Sequence, residues 1–286
     1  MVANNPYVSL VIVTYNAGEG LTRCLRSLEL QSSGDFECIV VDNGYADAST
    51  WSLFDVKYVR LDRNYGPSYA RNYGVGLARG DIVGFIDDDA EVADDFVAVI
   101  TRAFKDFDTV GIRGRIRPKS SGNIYNIIPG HYDLGDQIVE APLITEGNCA
   151  VRRGQFLSAG GFNPALFGHE GFDLSYRLAG KGKQLYIPEL VVYHDYVDNL
   201  GQLLRKHYRH GYNKRRFAER NEELTRYMRS FSDGAGAQRE GMHRSDHFVR
   251  RLWLAVLTVA AESTGALSLR MRGTRCKGGE KAQNEA

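Results

Sequence analysis

Apolar runs that close on polar clusters recur through the first 117 residues. Val8-Ser-Leu-Val-Ile-Val13 is followed by Thr14-Tyr15-Asn16 and Gly18, then by Leu21, Leu25 and Leu28 at helical spacing, which predicts strand, loop and helix. Phe36-Glu-Cys-Ile-Val-Val41 ends in Asp42-Asn43-Gly44, and Val56 to Leu61 ends in Asp62-Arg63-Asn64. Tyr69 to Ala78 and Phe96 to Phe104 read as the third and fourth crossover helices. Runs without polar interruption predict parallel strands covered on both faces, and polar residues placed after each run predict that the strands open onto one crevice.

The most informative run is Val83-Gly-Phe-Ile-Asp-Asp-Asp-Ala-Glu91. It reads as a buried strand that delivers three consecutive aspartates to a site. Carboxylates without nearby basic residues suit a hard divalent cation. Continued extension would point Asp87 and Asp89 one way and Asp88 the other. The competing reading is that these acids only open the helix that follows Asp94-Asp95.

Beyond residue 118 the pattern changes. Ser120-Ser-Gly122, Pro129-Gly130 and Pro142 predict a mobile connector over 119–142. Order returns at Ile144 to Val151, then in a short helix ending at Gly160-Gly161. Phe167 to Leu178 carries a helix that begins at its acids and stops at Gly180 and Gly182. Gln184 to Pro188 and Val191 to His194 read as two strands. From about Leu200 the chain is basic and helical, with a flexible break at Ser232 to Ala237 and a disordered end from 271 to 286. The expected division is a nucleotide-binding half at 1–117, an acceptor-binding and catalytic half of the same domain at 118–195, a basic helical extension at 196–270, and the tail.

Composition narrows the function classes. The 286 residues are 43% hydrophobic and 25% charged with a formal net charge of +1, enough for a sizeable core and no general affinity for nucleic acid. Charge is uneven: residues 201–230 hold nine Lys/Arg against three Glu. Tyr208, Tyr212 and Phe217 interleave with those cations, and Trp253 to Leu257 follows Arg250-Arg251. This predicts either contact with anionic lipid headgroups, a solvated helix face, or an oligomer-forming helix. Cys24, Cys38, Cys149 and Cys276 form no CxxC pair, as expected of free thiols in a reducing cytosol. The short polar start, Met1 to Pro6, predicts no signal peptide. Glu262, Ser263 and Gly265 interrupt the one apolar stretch, 252–269, so no spanning helix is expected. The predicted location is cytoplasmic, with peripheral contact on the inner membrane face.

Taken in order, Val-Thr-Tyr-Asn16, Val-Val-Asp-Asn43, Asn64-Tyr-Gly66 with Ala70-Arg-Asn72, Gly80-Asp-Ile-Val with Asp87-Asp-Asp89, Gly160-Gly-Phe-Asn163 and Glu170-Gly-Phe-Asp-Leu-Ser-Tyr-Arg-Leu178 resemble the family 2 inverting glycosyltransferases. The resemblance covers Val8 to about His194. It implies a GT-A fold, a Rossmann-like α/β architecture with a mostly parallel sheet, and a nucleoside-diphosphate sugar donor with uridine as the default base. Thymidine or guanosine donors stay open. It places Thr14, Tyr15, Asn16, Asp42, Asn64, Arg71, Asp87 and Asp88 around the donor nucleotide. Asp42 would accept from the base, or else only cap its loop. Arg63 and Arg71 would meet phosphate or form ion pairs. Asp89, Asp87 and His194 would hold Mn²⁺ or Mg²⁺, His194 being alternatively a packed structural histidine. Glu146, Gly147, Asn148 and His169 would contact the donor sugar or the acceptor, a saccharide or glycoconjugate.

The chain departs from the family at the base. Members often carry Glu-Asp before a further Asp-Leu, with the second acid taking the acceptor's proton. Here that position is Gly171. Glu170 is the first choice for the base and Asp173 the second, three apart and on one helical face; both could instead cap the helix or pair with Arg177. Two other functions remain at this point. A nucleotidyltransferase should carry a lysine in a Gly-rich loop after the first strand, and residues 14–24 contain none. A non-catalytic binder of the same fold stays open because of Gly171.

Overall fold

The computed structural model describes residues 5–16, 18–44, 51, 53–119, 123, 125, 130–166, 168–195, 197–218, 222–227 and 257–264. It divides into two compact units: one of residues 1–120, 128–166 and 170–195, the other of 121–127, 167–169 and 196–286.

The first unit is built on one sheet. Among the described residues its strands are β1 (Val8–Thr14), β2 (Phe36–Asp42), β3 (Lys57–Arg60), β4 (Ile82–Asp87), β5 (Glu91–Val92), β6 (Thr109–Arg117), β7 (Val139–Glu140), β8 (Asn148–Arg152) and β9 (Lys183–Tyr193). The order is β3-β2-β1-β4-β8-β6-β9-β5, with β7 also on β9. Strands β1 to β4 run parallel. β8 enters antiparallel between β4 and β6, and β6 and β9 are parallel.

The apolar runs are uninterrupted because both sheet faces are covered. Val8, Leu10 and Ile12 of β1 join a core with Leu21, Leu25 and Leu28 of α1 (Glu19–Glu29) and Phe96, Val99 and Ile100 of α3 (Phe96–Asp106). Val11, one step out of phase, packs on the other face with Ala70 and Val75 of α2 (Pro67–Leu77), Phe156 of α4 (Arg153–Ser158) and Leu174 and Leu178 of α5 (Glu170–Ala179). Each of the Val, Leu, Ile and Phe side chains among them contributes about 1.5–3 kcal/mol by burial. Pro67 starts α2 where a missing N–H costs nothing. The crossover expected between β2 and β3 falls largely on residues outside those described.

Two expectations change. The predicted strands 184–188 and 191–194 are one strand, β9, whose pairing with β6 jumps from Gly114↔Ile187 to Arg115↔Val191. Pro188 falls in the skipped stretch, where a residue without an N–H is tolerated. The predicted mobile connector is anchored over 130–142. Arg113 Nη1 donates to His131 O at 2.7 Å, and Arg115 meets Asp133 at 3.0 Å and Asp136 at 2.6 Å. Ala141 N–H bonds Gln184 O at 2.9 Å. Burial pushes Arg113 down to about 10.

In the second unit α6 (Leu200–Ala218) and helical residues 222–227 bury Leu203 and Leu224. His207 Nδ1 lies 3.8 Å from Glu262 Oε2. Burial first, then the charges of Lys206, His169, His207 and Arg209, push His210 down to about 4. The expected break at 232–237, Trp253 to Val256 and the tail lie outside the described residues. Among those described, no helix is long and apolar enough to cross a membrane.

Candidate active site

The strand order reverses between β1 and β4, with β2 and β3 on one side and β8 on the other. Open α/β sheets bind ligands at the carboxyl ends of strands at such a point. Thr14 ends β1 and Asp87 ends β4. Thr14 Oγ1 donates to Asp88 Oδ2 at 2.5 Å, closing the gap between the two strand ends. Tyr15 is 56% exposed at the rim, and Asn16 takes a left-handed backbone (φ 56°), which asparagine tolerates better than most residues.

The three aspartates part company because β4 stops at Asp87 and the chain turns, Ala90 N–H bonding Asp87 O at 3.1 Å. The expected alternation of an extended strand therefore does not hold past Asp87. Asp88 turns to Thr14. Burial, with Asp89 and Asp87 beside it, pushes Asp88 up to about 6 although Thr14 opposes the shift. Asp89, 61% exposed, meets His194 Nε2 at 2.9 Å. Partial desolvation by its neighbours would raise Asp89, but the hydrogen bond and charge of His194 hold it below the usual range. Asp87 faces Arg71, whose Nη2 lies 3.1 Å from Asp87 Oδ1. The expectation of acids without basic neighbours thus fails at Asp87.

Arg71, its side chain 11% exposed, has Glu170 Oε1 3.9 Å from its Nη1. Burial would lower Arg71; the charges of Asp87, Glu146 and Glu170 more than offset it. Glu170 is 6% exposed and its Oε2 has no hydrogen-bond partner among the described residues. Burial and the neighbouring Glu170 raise Glu146 well above the usual carboxylate range. Asp173 is committed to Arg177, whose Nε sits 3.0 Å from it.

Glu146 and Gly147 reach this cluster because β8 runs backwards. Asn148 pairs with Ile86, so the residues before β8 land beside the end of β4. A Cβ built on Gly147 would lie 2.1 Å from Asp87 Oδ2, so only glycine lets the backbone approach that carboxylate.

Other predicted positions lie elsewhere. Asn148 is fully buried and donates to Arg115 O at 2.9 Å and Leu190 O at 3.2 Å; it clamps the β6–β9 irregularity and cannot face a sugar from there. Asp42 is fully buried, accepting from Gly44 N–H at 2.9 Å, Tyr58 Oη at 2.6 Å and Arg60 Nε at 3.0 Å. These contacts make Asp42 an anchor of the loop that follows β2. Asn64 accepts from Asn43 Nδ2 at 3.0 Å and from Gly66 N–H at 2.8 Å, shaping the entry to α2. His169 belongs to the second unit. Arg63 lies over the Tyr65 ring at 4.7 Å. One basic residue was missed. Lys119 pairs with Glu91 at 2.6 Å and its charge helps lower Asp89. Its signal was its position, since Lys119 follows β6 as the other polar clusters follow their strands.

The residues that can hold a divalent cation are Asp89 and His194. Among the described residues no group of three or more His, Cys, Asp or Glu stands ready to coordinate a metal. Mg²⁺ and Mn²⁺ commonly take only one or two carboxylates and complete their shell with substrate phosphate and water, so an exposed Asp89 beside His194 fits such an ion.

Residues 9–154 match the family described as Glycosyl transferase family 2, and the chain belongs to that family. The fold is GT-A, as in a mannosyltransferase from Pyrobaculum calidifontis solved with GDP-Man and Mn²⁺. The two superpose with TM-score 0.64 at 16% identity over 93% of this chain and 88% of that one. The S. aureus TarS 1-349 complex with UDP gives 0.56 at 17% over 70% and 63%. Among curated proteins, a succinoglycan biosynthesis protein, ExoO, of Rhizobium meliloti is 37% identical over 95 residues, 32% of this chain and 27% of that protein. A pre-mycofactocin glycosyltransferase of Mycobacterium tuberculosis is 27% identical over 211 residues, 68% and 43%. Matches of this kind span about a third of the curated relatives' length.

Proposed function

We propose that the protein transfers a sugar from a nucleoside-diphosphate donor, UDP-linked by default, to a hydroxyl of a saccharide or lipid-linked glycoconjugate, with inversion and with the help of Mn²⁺ or Mg²⁺. The observation that carries this reading is the convergence of Asp87 to Asp89, Arg71, Glu146, Glu170 and His194 at the switch point of a GT-A sheet. A bound divalent ion supplies Lewis-acid stabilisation of the departing diphosphate.

The protein's own groups do the rest. Asp89 and His194 would hold the divalent ion, and Tyr15 offers an exposed ring at the end of β1 for the nucleoside. Arg71 keeps Asp87 and Glu170 in place and balances their charge. A carboxylate of the Glu146–Glu170 pair removes the proton from the acceptor hydroxyl as it attacks opposite the leaving phosphate. Asp173 is unsuited to that task because Arg177 occupies it. The cations of α6, with exposed Tyr208, suit anionic headgroups or the diphosphate of a lipid-linked acceptor.

The test is a panel of UDP-, dTDP- and GDP-sugars with and without Mn²⁺, read by melting temperature and by release of nucleoside diphosphate. A donor should raise the melting point in a metal-dependent way and Asp89→Asn should remove that shift. No donor-dependent shift and no release with any of the panel would sink the proposal.

A further inference from the structure

Gly171 leaves the first acid of the expected pair without its neighbour, yet the space beside it is filled. A Cβ built on Gly171 would lie 2.6 Å from Glu146 Oε1 and 2.9 Å from Leu143 O. Gly171 N–H donates to that same Oε1 at 2.5 Å. A carboxylate carried by the loop before β8 therefore occupies the volume where a side chain at 171 would begin, at the first turn of α5, where the free helix N–H groups favour negative charge.

We infer that Glu146 is the catalytic base, its carboxylate standing in for the acid absent at 171, and that Glu170 is a positioning residue behind it. The inference rests on the transferase reading above and deepens it. Accessibility separates the two acids. Glu146 is half-buried, whereas Glu170 is buried and tied towards Arg71. Of the two, Glu146 is the more accessible residue. The bond at Gly171 N–H holds Oε1 in place, and Oε2 is the oxygen assigned to take the proton. In the step, the acceptor O–H proton passes to Glu146 and the acceptor oxygen bonds to the anomeric carbon. The bond from that carbon to the diphosphate oxygen breaks, and its electron pair leaves with the nucleoside diphosphate. Burial beside Glu170 raises Glu146 towards the working pH, which suits a general base. Gly171 is then a requirement of the arrangement, since any side chain there would push the Glu146 carboxylate aside.

The experiment compares Glu146→Gln, Glu170→Gln and Gly171→Ala in the full chain, using a donor and acceptor that the wild type turns over. Glu146→Gln keeps an oxygen for Gly171 N–H. It should lower kcat by about 10²- to 10⁴-fold, retain the donor-induced rise in melting temperature, and lose the acid limb of the kcat/KM profile from its residual rate. Gly171→Ala keeps the carboxylate but displaces it, and should lower kcat while donor binding persists. Glu170→Gln should lower kcat less than Glu146→Gln and keep the acid limb. Glu146→Gln retaining more than about a tenth of wild-type kcat, an acid limb surviving in that variant, or Gly171→Ala turning over like the wild type would each overturn the assignment. A wild type that binds and transfers no sugar would instead defeat the transferase reading itself.

Discussion

Arg71→Met removes the cation shared by several carboxylates and should expose how much of the first unit's stability depends on it. At an effective dielectric of about 20, the contacts at 3.1 Å to Asp87 and 3.9 Å to Glu170 correspond to gross attractions of about 5 and about 4 kcal/mol. Desolvation of the buried groups consumes most of that in the intact protein. Truncation leaves Glu170 buried without its counter-charge, a change that costs about 3–5 kcal/mol out of a typical total of about 5–15 kcal/mol, whereas Asp87, 41% exposed, is screened by solvent and adds little. The loss should also depend on pH. Glu146 is raised in the fold, so above the usual carboxylate range the unfolded chain has released a proton that the folded chain retains, and stability falls as pH rises. Arg71 opposes that rise; without it the proton is retained to higher pH and the decline extends further. Urea unfolding at about pH 5 and about pH 8 should therefore show a larger loss for Arg71→Met at the higher pH. Equal losses at the two pH values, or a loss below about 1 kcal/mol at both, would refute the picture of Arg71 as a buried charge hub.

Three further outcomes are expected. Gly147→Ala puts a Cβ 2.1 Å from Asp87 Oδ2 and should abolish metal-dependent donor binding while the chain still folds; unchanged donor affinity would show that Asp87 tolerates displacement. Arg115→Gln should raise amide hydrogen exchange over residues 133–136, since it removes the contacts to Asp133, Gly135 and Asp136, and unaltered protection there would contradict the anchoring role. His210, pushed down to about 4, should titrate in a histidine NMR experiment well below the ordinary value near 6.5. Its folded-state value is depressed, so the unfolded chain takes up a proton first and stability falls as pH drops through that interval. A midpoint at or above about 6 would refute its burial.

The strand and helix order of the first unit was legible because burial on two faces writes itself into the sequence as apolar runs, and because the polar residues after Val13, Val41 and Ile86 fall at one sheet edge. The partners of those polar residues were not legible. Asp87, Asp88 and Asp89 are adjacent in the chain, yet they answer to Arg71, Thr14 and His194, and only the turn after β4 decides which. Asn148 resembled a sugar contact in sequence, but a register jump between β6 and β9 draws it into the core. The anchoring of 130–136 depends on Arg113 and Arg115, some twenty residues earlier on a strand, where no local turn signal reports it. Glu146 was noticed, but its proximity to Gly171 could emerge only once β8 was known to run against β4.

That reversed strand also sets when the site can come into being. A nascent chain that has reached residue 117 possesses β4 and β6 with nothing yet between them, two raw edges of the kind that recruit other strands. Only synthesis through Arg152 seals the gap, and the same event carries Glu146 to its place. Trimming the gene after the first half would therefore yield a sticky fragment in place of a tidy nucleotide-binding module, and Glu170, Gly171 and His194 join Glu146 only after the gap is sealed.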